Sequence, residues 1–258
     1  MARRLSDDKA EGRKGETQYI LADRERITPA YCKPMRKGYS DIVYEDPRID
    51  FENRVPMTEE QETGILREIG KLADKVDVIA VCDQFRYGMI SERVRKELER
   101  LACRGKKIVV DSRSRIGLFR NVVIKPNEME ASAAVGNGNA SRGKSRSTVE
   151  ENIELLYRQN QAPVIVTMEE DGALWYDGKE FSFAAGIPVE PPVDIVGAGD
   201  AFLAAFSCAY GAGIPGPEAI AFGNLVSSIV IKKIGMTGTA APDEILDQMI
   251  RYGKERTL

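Results

Sequence analysis

The 258-residue sequence predicts an α/β fold, a doubly wound and mostly parallel sheet with helices on both faces. Three observations carry this. Short apolar runs at 76–82, 107–111, 122–125 and 164–168 have the character of parallel strands buried on both faces. Amphipathic helical stretches alternate with them. An Asp177-Gly178 pair between the apolar runs 173–176 and 181–184 marks a β-hairpin.

Taken in chain order, residues 1–27 are polar and charged, and are expected to be disordered or loosely packed. Residues 42–51 look extended. Thr58 followed by Glu59, Glu60 and Gln61 is a helix start, with the helix running to about Ala73. The first buried strand follows at 76–82. A helix over 91–103 ends at Arg104-Gly105, where glycine suits the exit. Strands at 107–111 and 122–125 come next, then a Gly/Ser/basic loop at 137–147, a helix at 148–159 and the strand 164–168. After the hairpin, three helices close the chain near 198–210, 216–234 and 242–252.

Composition narrows the chemistry. The formal net charge of -3 argues against nucleic-acid or anionic-membrane surfaces as partners. No apolar run approaches the roughly 18 residues of a membrane span, and Met1 to Gly15 lacks the apolar core of a signal peptide. The four cysteines form no C-x-x-C pair and read as reduced, buried thiols of a cytoplasmic protein. There is no histidine, so Ser-His-Asp hydrolysis and most zinc sites are excluded. A metal here needs oxygen ligands, which suits Mg²⁺.

The residues that carry chemistry gather where strands end. In such sheets ligands bind at the carboxyl ends of the strands, and those ends carry Asp83, Asp111, Asn127 and Thr167. The densest signal is the run Val193-Asp194-Ile195-Val196-Gly197-Ala198-Gly199-Asp200. It reads as a chain leaving a sheet, turning on glycines and starting a helix. Backbone N–H groups at such a turn form an anion site. Asp200 stands where it can take a proton from a hydroxyl held beside that anion. An anion cradle plus a base is the minimum equipment of phosphoryl transfer.

This run resembles the signature of the ribokinase-like (PfkB) carbohydrate kinases, Asp-Thr-x-Gly-Ala-Gly-Asp-x-Phe. Asp194, Gly197, Ala198, Gly199, Asp200 and Phe202 match it, and Ile195 replaces the usual Thr. The resemblance covers about Thr28 to Asp247 and sits nearest to the heptose-phosphate kinase-like subgroup. It implies a kinase domain over 28–258, with 28–54 as a lid-like segment. It implies Asp200 as catalytic base, with the N–H groups of Gly197, Ala198 and Gly199 holding the developing charge. Lys125-Pro126-Asn127-Glu128-Met129-Glu130 resembles the Asn-x-x-Glu motif, which places Asn127 and Glu130 in the Mg²⁺–phosphate network. The same pair also reads as a plain helix-capping pair. Thr167 and Gly172 match the nucleotide-phosphate loop, in which Glu169 stands where the family has glycine. Asn224 would lie near the adenine, or be an ordinary helix-surface residue. Asp83 and Arg113 would bind the acceptor, although surface salt bridges explain the arginines equally well.

The implied co-substrates are ATP with Mg²⁺ and a sugar or sugar phosphate, with a monovalent cation beside Asp194 and room for a homo-oligomer. Against the family pattern, the N-terminal sugar-binding strand and Gly-Gly turn are missing. Three readings follow: a fragment of a longer kinase, a non-catalytic nucleotide- or sugar-binding paralogue, or an active subunit completed by another chain.

Overall fold

The computed structural model describes residues 18–39, 42–136 and 145–255. Most of the polar segment 1–27 and of the loop 137–147 lies outside the described residues. The chain divides into two compact units, one of residues 1–70 and 85–94, the other of residues 71–84 and 95–258. The division falls inside two helices, α1 (Glu59–Ala73) and α2 (Glu92–Cys103).

The first unit holds two small antiparallel pairs. β1 (Ala30–Cys32) pairs with β4 (Ile49–Phe51), and β2 (Met35–Lys37) with β3 (Val43–Glu45). The Tyr31 ring packs against Phe85 at 5.4 Å, and the Arg48 guanidinium lies 4.2 Å from the Tyr31 ring centroid. The α1 start is a capping box. Thr58 Oγ1 accepts from the Gln61 N–H while the Gln61 side chain accepts from the Thr58 N–H, so two otherwise orphaned donors are satisfied.

The second unit is a six-stranded sheet in the order β10-β9-β8-β7-β6-β5. β5 (Val78–Asp83), β6 (Lys107–Ser112), β7 (Val123–Ile124) and β8 (Val164–Thr167) are mutually parallel. These are the four apolar runs of the sequence. β9 (Gly172–Tyr176) and β10 (Phe181–Ala185) form the hairpin and run antiparallel. Its turn is held by Asp177 Oδ1, which accepts from the N–H groups of Lys179 and Glu180.

Helices cover both faces. α3 (Glu128–Ala134) and α4 (Arg146–Asn160) pack on one. α5 (Ala198–Gly211) and α6 (Gly216–Val230) pack on the other, and α7 (Pro242–Glu255) lies against α6. Strand alternation sorts the core. Val109, Ile165 and Trp175 meet Phe202, Phe206 and Ile220 from α5 and α6.

Three expectations are corrected. The run 76–82 was expected to be buried on both faces, but β5 is the edge strand, and Ala80 and Cys82 are exposed. Periodicity sees an apolar run and cannot see its position in a sheet. The glycine turn does not follow a strand. β10 ends at Ala185, and Pro188, Pro191 and Pro192 withhold the N–H groups a ladder needs. The Asp194 N–H goes to the Ile231 carbonyl at 2.8 Å instead. The four cysteines are free but exposed rather than buried.

Candidate active site

The rim of the second unit collects the strand ends. Register puts Cys82 beside Asp111 and Asp83 beside Ser112, and a parallel bridge joins Asn127 to Thr167. Above them α5 begins at Gly197, whose φ of 84° is left-handed. A Cβ there would press to 2.8 Å from Thr237 Cγ2, so both conformation and space demand glycine. No side chain caps this helix. The Ala198 N–H donates to the Ile195 carbonyl at 3.2 Å. The N–H groups of Gly197, Gly199 and Asp200 have no partner among the described residues. Such groups at a helix start attract anions.

Two residues that sequence reasoning did not single out stand at this turn. Lys125 is 3% exposed, and its Nζ lies 2.9 Å from Oδ2 of Asp111, which is also buried. The same Nζ is the nearest heavy atom, at 4.0 Å, to the place a Cβ on Gly199 would occupy. A buried ammonium therefore faces the glycine turn across an open gap. The signal in the sequence was a lysine at the end of an apolar strand just before Pro126, where a long charged side chain must find a partner to be buried. The second residue is Cys82, whose Sγ lies 3.4 Å from Asp200 Oδ1.

The predicted residues fall into two sets. Asp200, Gly197 and Gly199 join Lys125, Asp111 and Cys82. Asn127 and Glu130 form a capping box: Asn127 Oδ1 accepts from the Glu130 N–H at 2.8 Å, and Glu130 Oε2 from the Asn127 N–H at 2.9 Å. The Glu130 carboxyl is pushed up, chiefly by burial and also by the charge of Asp111. The Asn127 N–H and the charges of Lys125 and Arg113 oppose this. Thr167 ends β8 and Gly172 opens β9, at a φ of 111°. Glu169 between them holds a φ of 49°, the conformation glycine adopts without penalty.

Two predicted residues lie apart. Asp83 points to the face of β5 opposite Cys82. It is 3% exposed and paired with the Arg115 guanidinium, and it also accepts from Ser112 Oγ at 2.7 Å. Asn224 donates to the carbonyls of Ala184 and Ala185, which ties α6 to β10. Asp194 bridges the turn: its carboxylate accepts from the N–H groups of Val196 at 3.1 Å and Gly235 at 3.0 Å.

No group of three or more His, Cys, Asp or Glu among the described residues could hold a metal by itself. Asp111 and Glu130 carry oxygen donors of the kind Mg²⁺ takes, one or two carboxylates beside phosphate oxygens and water.

The family model for pfkB family carbohydrate kinases matches residues 68–243. The chain belongs to this family. A curated relative, the bifunctional protein HldE of Wolinella succinogenes, is 28% identical over 210 residues, covering 78% of this chain and 42% of its own length. The chain spans about half the length, or less, of the curated HldE relatives it matches. Among solved structures, phosphofructokinase-2 from Escherichia coli in complex with potassium has a TM-score of 0.62 at 17% identity, covering 80% of this chain and 67% of that one. Arabidopsis thaliana ribokinase complexed with ribose and ATP has a TM-score of 0.59 at 17% identity, covering 79% and 65%. These likenesses establish the ribokinase-like fold. No helix among the described residues is long and apolar enough to cross a membrane.

Proposed function

We propose that this chain transfers the γ-phosphoryl group of ATP to a hydroxyl of a sugar or sugar phosphate. The observation that carries this is the juxtaposition of Asp200, the unpartnered N–H groups of the Gly197–Asp200 turn and the buried Lys125 Nζ. Asp200 accepts the hydroxyl proton. The N–H groups and the ammonium receive the charge that spreads over the transferred oxygens. Asn127, Glu130 and Asp111 would hold Mg²⁺, which would supply positive charge to offset that of the phosphates. Thr167 and Gly172 border the nucleotide, and Arg113 grips an acceptor phosphate. A heptose-phosphate-like acceptor fits the subgroup resemblance, a monovalent cation fits the Asp194 region, and one solved structure of the same fold is a complex with potassium. The protein works in the cytoplasm, and a homo-oligomer is compatible with this reading.

A second reading is a nucleotide-binding protein without turnover. It is favoured by the engagement of Asp83 and Asn224 in structural pairs, which withdraws two predicted ligands. Calorimetry with Mg·ATP, followed by phosphoryl transfer to a panel of sugar phosphates, separates the two. On an acceptor that is turned over, Asp200→Asn lowers the rate by about 10²–10⁴. It leaves Mg·ATP binding nearly intact, because the cradle is backbone. Full activity in that variant removes Asp200 from the mechanism, and absence of binding heat at millimolar Mg·ATP counts against both readings.

A further inference from the structure

We infer that Cys82 is a positioning residue for Asp200: its S–H donates to Oδ1 and fixes the carboxylate in the orientation that receives a hydroxyl proton. The inference deepens the kinase reading and rests on it for the role of Asp200.

The packing of α5 on β5 makes the contact obligatory. Val78, Ala80 and Cys82 share one face of the strand. At one end of α5, a Cβ on Gly211 would lie 2.8 Å from Val78 Cγ1, so helix and strand meet there with no space between them. Lys107, the register partner of Val78, donates to the Tyr210 carbonyl at 2.7 Å and holds that helix end. From residue 210 back to 200 the helix runs about 15 Å, and from 78 to 82 the strand runs about 13 Å in the same direction. The two therefore bring Asp200 over Cys82, and Sγ and Oδ1 are 3.4 Å apart.

The charges around the thiol decide which way the proton points. From β6, Asp111 is the register neighbour of Cys82, but its carboxylate is paired with Lys125, which follows β7. The uncompensated negative charge facing the sulfur is that of Asp200, from α5. Burial pushes the Cys82 thiol up to about 12, helped by the charge of Asp200 and the hydrogen bond to it. Cys82 is exposed as a residue at the sheet edge, and α5 packs against this strand. The thiol therefore keeps its proton throughout the neutral range and is always a donor. Asp200 is otherwise exposed. A donor to its carboxylate restricts the rotation of that side chain.

The test uses the full chain with Cys82→Ala, Cys82→Ser and Asp200→Asn. Asp200→Asn removes a charge that holds the proton on the sulfur. Alkylation of Cys82 by iodoacetamide at pH 9, followed by peptide mass, then speeds up several-fold, and this readout needs no turnover. On an acceptor that is phosphorylated, Cys82→Ala lowers kcat several-fold with KM unchanged, and Cys82→Ser recovers it, because a hydroxyl also donates. A Cys82 alkylation rate unmoved by Asp200→Asn overturns the hydrogen bond. A wild type that phosphorylates nothing while the alkylation rate moves sinks the kinase reading and, with it, the positioning role. Wild-type kcat in Cys82→Ala sinks the positioning role alone.

Discussion

At Gly172 the backbone takes a φ of 111°, and an added Cβ would overlap the carbonyl of Ala184, which belongs to the next strand of the hairpin. At Gly199, on the same rim, the backbone is helical and an added Cβ would meet nothing nearer than Lys125 Nζ at 4.0 Å. The first glycine is required by the fold. The second leaves an open space between a helix start and a buried cation. Two glycines that look alike in a sequence thus report different things, one the closeness of two backbones and the other an opening beside a buried charge.

The largest stability effect expected around these turns comes from the cation. Lys125→Met conserves length but leaves the Asp111 carboxylate buried without its partner. It should cost about 3–5 kcal/mol in chemical denaturation. Adding Asp111→Asn to that variant should recover part of the loss, and a single variant as stable as wild type would show that the pair is not enclosed. Gly172→Ala follows, with a loss of about 3 kcal/mol from the strained φ and the carbonyl overlap. Gly199→Ala is the sharpening experiment. Its stability should stay within about 1 kcal/mol of wild type, since alanine is the better helix former. Phosphoryl transfer should fall by about 10²-fold as the reacting groups are displaced. If Gly199→Ala unfolds the protein while Gly172→Ala does not, the contrast between the two turns is reversed and the space at Gly199 has no special meaning. The smallest effect is at Glu169. Relieving its left-handed φ with glycine should raise stability by up to about 1 kcal/mol, partly offset by unfolded-chain entropy.

Much of this was legible in the sequence. The four parallel strands, the hairpin and the start of α1 were set by patterns a few residues long, and Thr58, Asp177 and Gly178 act locally in the way those patterns suggest. The glycine turn was legible for the same reason, since its conformation is packed into a few consecutive residues. What was not legible depends on long-range partners. That β5 is an edge follows from sheet order, which no local pattern encodes. Asp83 and Asp111 end adjacent strands in similar sequence settings, yet alternation sends them to opposite faces, one to Arg115 and the other to Lys125. Cys82 looked like a core thiol because its neighbours are apolar, and its partner lies 118 residues away.

The carboxylate of Asp194 holds the N–H of Val196, just before the glycine turn, and the N–H of Gly235, just past the end of α6. Two segments some forty residues apart in sequence therefore share one anion as their common fastening. A cation that draws on those oxygens loosens both amides together, so the deuterium uptake of Gly235 becomes a gauge of ion occupancy that can be read without any substrate and without following a reaction.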